Sequence, residues 1–282
     1  MRGSRIKILD PERAKKKALT KIDQWKKDKK KKELKQKINE EKSAFEKQDE
    51  LNEKLIKAIY DEDYNAVLDS LNKGADIEVD YEASEKWDGW GRPLIDASAE
   101  GHIKIIKLLI ERGADVNITT TNRGTALMAA SLYRHLDVVR LLLDNGADVN
   151  SKNNEEGDSV LSHTLSPEVA ELLIDRGADV NARNKEGITP LMGSTSAIGH
   201  HKKIIELLLD KGADVNARDN SGMSALMWGA YLGEQEDKME LLLERGAKVN
   251  VRNDRGDTAL GIALGVRHYK TAEILRRYGA EE

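Results

Sequence analysis

Along this chain, short apolar runs alternate with polar, turn-forming stretches at a steady interval. Leu141-Leu142-Leu143 and Leu207-Leu208-Leu209 each give way to Gly-Ala-Asp, and Leu241-Leu242-Leu243 gives way to Gly-Ala-Lys. The glycine of the Gly-Ala-Asp word stands at Gly74, Gly113, Gly146, Gly177 and Gly212, and Gly246-Ala247-Lys248 and Gly279-Ala280-Glu281 are degenerate copies. The intervals are 39, 33, 31, 35, 34 and 33 residues. A period near 33 implies a stack of similar supersecondary units, each burying its apolar face against the next.

The unit from Gly212 to Gly246 shows the grammar. Asp214 to Gly222 is rich in turn formers and predicts a hairpin-like finger. Ser224 stands at a helix N-cap, Ala225, Leu226 and Met227 open a short helix, and Gly233 ends it. Met239, Leu241, Leu242 and Leu243 give a second helix its apolar face. Gly246 supplies the left-handed residue that closes that helix. Helices this short are marginal alone, since isolated helices below ~12–15 residues rarely persist in water. The leucine runs therefore hold the stack together, a buried Leu contributing roughly 1.5–3 kcal/mol.

These residues resemble the ankyrin-repeat family. Its Thr-Pro-Leu-His opening is similar to Thr189-Pro190-Leu191-Met192, Thr125-Ala126-Leu127-Met128, Ser224-Ala225-Leu226-Met227 and Thr258-Ala259-Leu260-Gly261. Its Gly-His turn appears at Gly101-His102 and Gly199-His200, and its Gly-Ala-Asp-Val-Asn ending at 113–117, 146–150, 177–181 and 212–216. The resemblance implies an all-α fold: an ankyrin-repeat α-solenoid with β-turn fingers, about seven repeats over residues 50–282, binding partners on a concave side made by fingers and first helices. It also implies a protein-interaction module with no catalysis, cofactor or metal. The family's His after Thr-Pro-Leu is missing throughout, Met128, Met192 and Met227 taking its place in three units. Methionine is a flexible filler, so these repeats are expected to be softer than the family's best.

The irregular units carry the candidate recognition chemistry. The interval of 39 reflects a longer finger within residues 80–91, holding Trp87 and Trp90. Tryptophan is enriched at binding hot spots, though both rings could equally pack on the neighbouring repeat. In the fourth unit Ser166-Pro167-Glu168 replaces the Gly-His turn, starting the second helix directly and leaving a dent near His163. At positions that often touch ligands in the family stand Tyr133, with Arg134 beside it, and Tyr231, with Trp228 one turn before on the same face. Trp87, Trp90, Tyr133, Arg134, His163, Trp228 and Tyr231 are thus the candidate partner-binding residues, and ordinary packing is the competing explanation for each. His200 and His201 are adjacent and lack a third ligand at a convincing spacing, so no metal site is expected.

Charge divides the chain. Residues 1–57 carry 20 Lys/Arg against 11 Asp/Glu, a net of +9; the remainder carries 26 against 39, a net of −13. Asp10-Pro11-Glu12 reads as a helix start, and a helix over 11–48 is predicted, with Ala14, Ala18, Ile22 and Trp25 at helical spacing. Its core is the cluster Lys26, Lys27, Lys29, Lys30, Lys31 and Lys32; Leu34, Ile38 and Phe45 continue a thin apolar seam. Three segments follow: 1–10, with Met1-Arg2-Gly3-Ser4 reading as a vector-derived leader; a basic helical arm at 11–49; and the array at 50–282. Four uses of the arm stay open: a solvated helix, docking on the array or on another copy, binding to phosphate backbones with strong salt dependence, and a nuclear-import signal or contact with an anionic membrane surface.

There is no cysteine, which excludes disulfides and thiolate chemistry and fits a reducing cytosol. A cytoplasmic location is therefore expected, with nuclear or secreted-effector locations left open. No run of 18 apolar residues exists to span a membrane. Gly-x-x-x-x-Gly-Lys, Gly-x-Ser-x-Gly and His-Glu-x-x-His are all absent, so no enzyme signature is present. The expectation is an adaptor or inhibitor whose acidic array favours a protein partner with a basic patch. The alternative is a scaffold whose arm self-associates or binds nucleic acid.

Overall fold

The computed structural model describes residues 11–81, 91–120, 124–196, 202–233 and 236–281. Helices occur in pairs, seven pairs in all among the described residues. The first pair is α1 (Pro11–Tyr60), of which the last turns serve as the repeat's first helix, and α2 (Tyr64–Asn72). Then come α3 (Pro93–Glu100) with α4 (Ile103–Glu111), and α5 (Ala126–Leu132) with α6 (Leu136–Asp144). A 3₁₀ turn (Val160–His163) precedes α7 (Pro167–Asp175). The last three pairs are α8 (Pro190–Ser196) with α9 (Lys202–Asp210), α10 (Ala225–Leu232) with α11 (Glu236–Glu244), and α12 (Ala259–Gly265) with α13 (Tyr269–Arg277). First helices pack on first helices in chain order, and from α6 onward second helices do the same. The core is therefore a strip, as a solenoid requires.

Local chemistry sets the boundaries. Thr125, Ser224 and Thr258 cap α5, α10 and α12, each side-chain oxygen accepting the amide three residues on. Ser166 caps α7 in the same way with Pro167 next to it, and the 3₁₀ turn confirms the trimmed first helix of the fourth unit. At Gly246 φ is +88°, and the amides of Gly246 and Ala247 return to the carbonyls of Leu243 and Leu242. This satisfies the carbonyls that a helix end leaves bare. Met128, Met192 and Met227 are all buried in the strip. The fingers contain isolated antiparallel bridges, Thr120 to Gly124, Lys152 to Ser159 and Arg218 to Ser224, and no strand among the described residues.

Repeats are stitched to one another by a ladder of asparagines. Asn117 Nδ2 donates to the Gly146 carbonyl (3.0 Å), while Asn117 Oδ1 accepts the Asp148 amide (2.8 Å). Asn150, Asn181, Asn216 and Asn250 make the same reciprocal pair one repeat further along each time. The finger backbones also join: Lys185 N to Glu156 O, Asn220 N to Glu186 O and Asp254 N to Ser221 O, at 2.9–3.1 Å. On the second helices Arg176–Asp144, Lys211–Asp175 and Arg245–Asp210 bridge consecutive units at 2.7–2.8 Å.

The arm does not end where the array begins. No Gly or Pro lies between residues 12 and 60, and α1 runs through position 50 without a break. Leu55 and Ile59 are sealed against α2 and α3. Trp25, Leu34, Ile38 and Phe45 are 52–70% exposed, so in this structure they dock on nothing. Among the described residues, side-chain hydrogen bonds from α1 to the array begin at Gln48, which reaches the Gly74 carbonyl at 2.9 Å. Asn52 Oδ1 accepts the Asp76 amide at 2.8 Å. Two helical residues one turn apart thus split the task that one asparagine performs elsewhere.

Candidate protein-binding surface

The side of the array built from fingers and first helices has a cleft near the last two units, about 570 Å³ in volume. Trp228 and Tyr231 of α10 make one wall, their rings edge to face with centroids 6.4 Å apart. Ile262 of α12 and Arg255 of the next finger lie opposite. Gly261 and Gly265, both exposed, give that wall its recess; a Cβ at Gly265 would meet nothing within 4 Å. The ring of Tyr231 is half exposed at 52%, so apolar surface already faces solvent here.

Trp228 is held from behind. Its Nε1 donates to Asp219 Oδ2 at 3.0 Å, and Asp219 Oδ1 accepts the amides of Ser221 and Met223 and the Ser221 hydroxyl. One buried carboxylate thereby ties the finger to the first helix and fixes the ring. The i, i+3 spacing brings Trp228 and Tyr231 together, as the sequence suggests, but nothing local in the sequence announces the Asp219 bond nine residues back.

The other candidates are dispersed. Tyr133 caps the end of α5 and is 53% exposed, but it lies three units from Tyr231. At the ~8–10 Å helix spacing typical of such packing, that is on the order of 25–30 Å. Arg134 takes the left-handed turn position, φ +66°, that Gly101 fills in the preceding unit. His163 sits at the dent with Nε2 3.2 Å from Asp158 Oδ2. The close His163 ring, assisted by the amide of Asn184, holds the Asp158 carboxyl below the usual carboxylate range. Trp87 and Trp90 lie outside the described residues, as do His200 and His201.

The root of the long finger is described. Tyr81 and Tyr60 both donate to the buried carboxylate of Asp96 on α3. Burial pushes the Tyr60 phenol up to about 12 and raises Tyr81 further. Both phenols therefore stay protonated donors at neutral pH. A larger depression between α11 and α13 is spanned by its own ion pairs, Lys270–Glu236 at 3.6 Å and Arg277–Glu240 at 2.7 Å. It leaves less for a partner than the aromatic cleft does.

On the arm, Lys26, Lys27, Lys29, Lys30, Lys31 and Lys32 are all exposed, and Lys29 Nζ rests 5.4 Å from the centre of the Trp25 ring. No group of three or more His, Cys, Asp or Glu among the described residues could hold a metal ion. None of the described helices is long and apolar enough to cross a membrane.

Comparison with known proteins agrees with this architecture. One relative is the human ankyrin repeat and KH domain-containing protein 1, 42% identical over 65 residues. That match covers 23% of this chain and 2% of the relative, so the likeness concerns repeats and not the whole protein. A family model for ankyrin repeats (3 copies) matches residues 55–153 and 160–253, well over half of the chain. With the paired helices, capped fingers and asparagine ladder in place, this chain belongs to the ankyrin-repeat family.

Proposed function

We propose that this protein is a non-enzymatic adaptor or inhibitor that grips a protein partner through the cleft between α10, α12 and their fingers. Ankyrin repeats generally act in protein–protein interaction. The observation that carries the reading is the fixed Trp228–Tyr231 pair beside an open recess at Gly261 and Gly265. A preformed pocket beside rigid aromatics receives an apolar anchor side chain at little entropic cost. The array's net charge of −13 would steer a partner carrying a basic patch toward it. A photo-crosslinker placed at position 231 should capture the partner, and Gly265→Leu, which fills the recess, should abolish that capture while the fold persists. Capture undiminished by Gly265→Leu would refute the cleft.

A second reading rests on the arm, because described side chains from Lys15 to Lys47 are exposed. In it the basic helix self-associates or binds phosphate backbones, and the array is a platform. Deleting residues 1–47 separates the two: partner capture that survives the deletion removes this reading. For nucleic acid, a mobility shift unchanged from low to high salt would contradict phosphate contacts.

A further inference from the structure

One rung of the asparagine ladder is different. In the unit that begins Gly74-Ala75-Asp76-Ile77, Glu78 stands where asparagine stands in the five units that follow. Glu78 Oε1 does half of the asparagine's work, accepting the Asp115 amide at 2.7 Å. The other half needs a donor toward the glycine carbonyl, and an ionised carboxylate has none. The second oxygen, Oε2, is buried with no hydrogen-bond partner. A buried, unpaired polar atom is destabilising, more so when it carries charge.

A protonated carboxyl has the same layout as a primary amide: one oxygen accepts and the neighbouring atom donates. We propose that Glu78 makes the junction between the first and second repeats a proton-operated clasp, which completes its rung when the side chain takes up a proton and loses half of it when the proton leaves. With the first repeat goes the arm, so the clasp governs how firmly α1 and α2 are attached to the other six units.

The surroundings favour proton uptake. Burial pushes the Glu78 carboxyl up from the ordinary glutamate range. The Asp115 amide and Arg92 oppose that rise, while the carboxylates of Asp115 and Asp76 add to it. Arg92, the nearby cation, spends its donors elsewhere: Nη1 on the Glu78 carbonyl (2.8 Å), Nε on the Thr119 carbonyl (3.1 Å) and Nη2 on Asp80 (2.9 Å). Because the folded chain holds this proton at a pH where the unfolded chain has released it, the junction is firmest on the acid side and loosens as pH rises.

Amide hydrogen exchange of the full chain, read residue by residue, tests this with internal controls. The Asp115 amide bonds to Glu78, while the Asp148 and Asp179 amides bond to Asn117 and Asn150. The Asp115 amide keeps its acceptor in both states, so its exchange reports opening of the whole junction. After correction for intrinsic exchange, its protection relative to Asp148 and Asp179 should fall about fivefold between about pH 4 and about pH 8, as the donor half of the rung is lost. Glu78→Gln, which supplies a permanent amide donor of the same length, should hold the ratio at its acid value throughout. Glu78→Ala should keep it low at every pH. A wild-type ratio that is flat with pH overturns the proposal. So does a pH dependence that persists in Glu78→Gln, since another group would then be titrating.

Discussion

Leu34 and Leu55 occupy one uninterrupted helix, yet Leu34 is 59% exposed and Leu55 is fully buried. The half of α1 carrying Leu55 is helical because α2 and α3 cover it. The half carrying Leu34 has no such cover. It is helical through good formers (Lys, Glu, Gln, Leu, Ala), the absence of Gly and Pro, and exposed i, i+4 pairs such as Gln36 to Glu40 and Lys42 to Glu46. Such pairs are worth roughly 0.3–0.5 kcal/mol each. One helix thus shows two sources of order, packing and propensity, and they fail under different insults.

The sharpest way to break that comparison is a pair of truncations. Leu55→Ala should destabilise the array by about 3 kcal/mol, within the range for emptied core sites. Leu34→Ala should change it by less than about 0.5 kcal/mol. Urea midpoints followed by fluorescence would show both; equal effects would mean that the arm packs on something in solution. Next in size is the finger root. Tyr81→Phe removes a donor from buried Asp96 and should cost about 1–2 kcal/mol, visible as a lower urea midpoint, with Tyr60→Phe a weaker version.

Smaller effects belong to single turns. Arg134→Gly relieves a left-handed residue that needs no side chain there, and should raise stability by up to about 1 kcal/mol in thermal denaturation. Gly265→Ala should also stabilise, by about 0.8–1 kcal/mol, because a helical glycine gains a Cβ in open space. The smallest effect is expected on the arm. Six lysines in seven positions repel one another, so helicity at 222 nm in a peptide of residues 11–49 should rise modestly with salt. A fall would mean that favourable ion pairs outweigh the lysine repulsion.

Much of the fold was legible because its signals are local. The glycine of each Gly-Ala-Asp, the caps Ser224 and Ser166, and the shortened fourth unit each act within a few residues of themselves. What bridges units was not. The asparagine of Gly-Ala-Asp-Val-Asn reads as a turn former in isolation, and its bonds about 30 residues ahead emerge only when the stack exists. Glu78 drew no notice in the sequence, because its consequence depends on a carbonyl and an amide of the next repeat. The predicted arm helix stops at 48, where the first repeat is expected to begin, and the backbone runs on through that point as regular helix to Tyr60. For the candidate site, spacing sufficed to pair Trp228 with Tyr231. The recess opposite them is made by glycines 30 or more residues later, which sequence order does not bring into view.

The unbroken course of α1 has a further consequence. A helix of 50 residues is about 75 Å long, and its two ends keep a fixed rotational phase. Removing one residue between Leu34 and Lys47 would draw the lysine cluster about 1.5 Å closer and swing it about 100° around the shaft. Removing seven would restore nearly the original bearing at a shorter reach. The chain therefore encodes a compass heading as well as a distance for whatever meets the arm, and deletion length, stepped one residue at a time, would reveal which of the two that encounter reads.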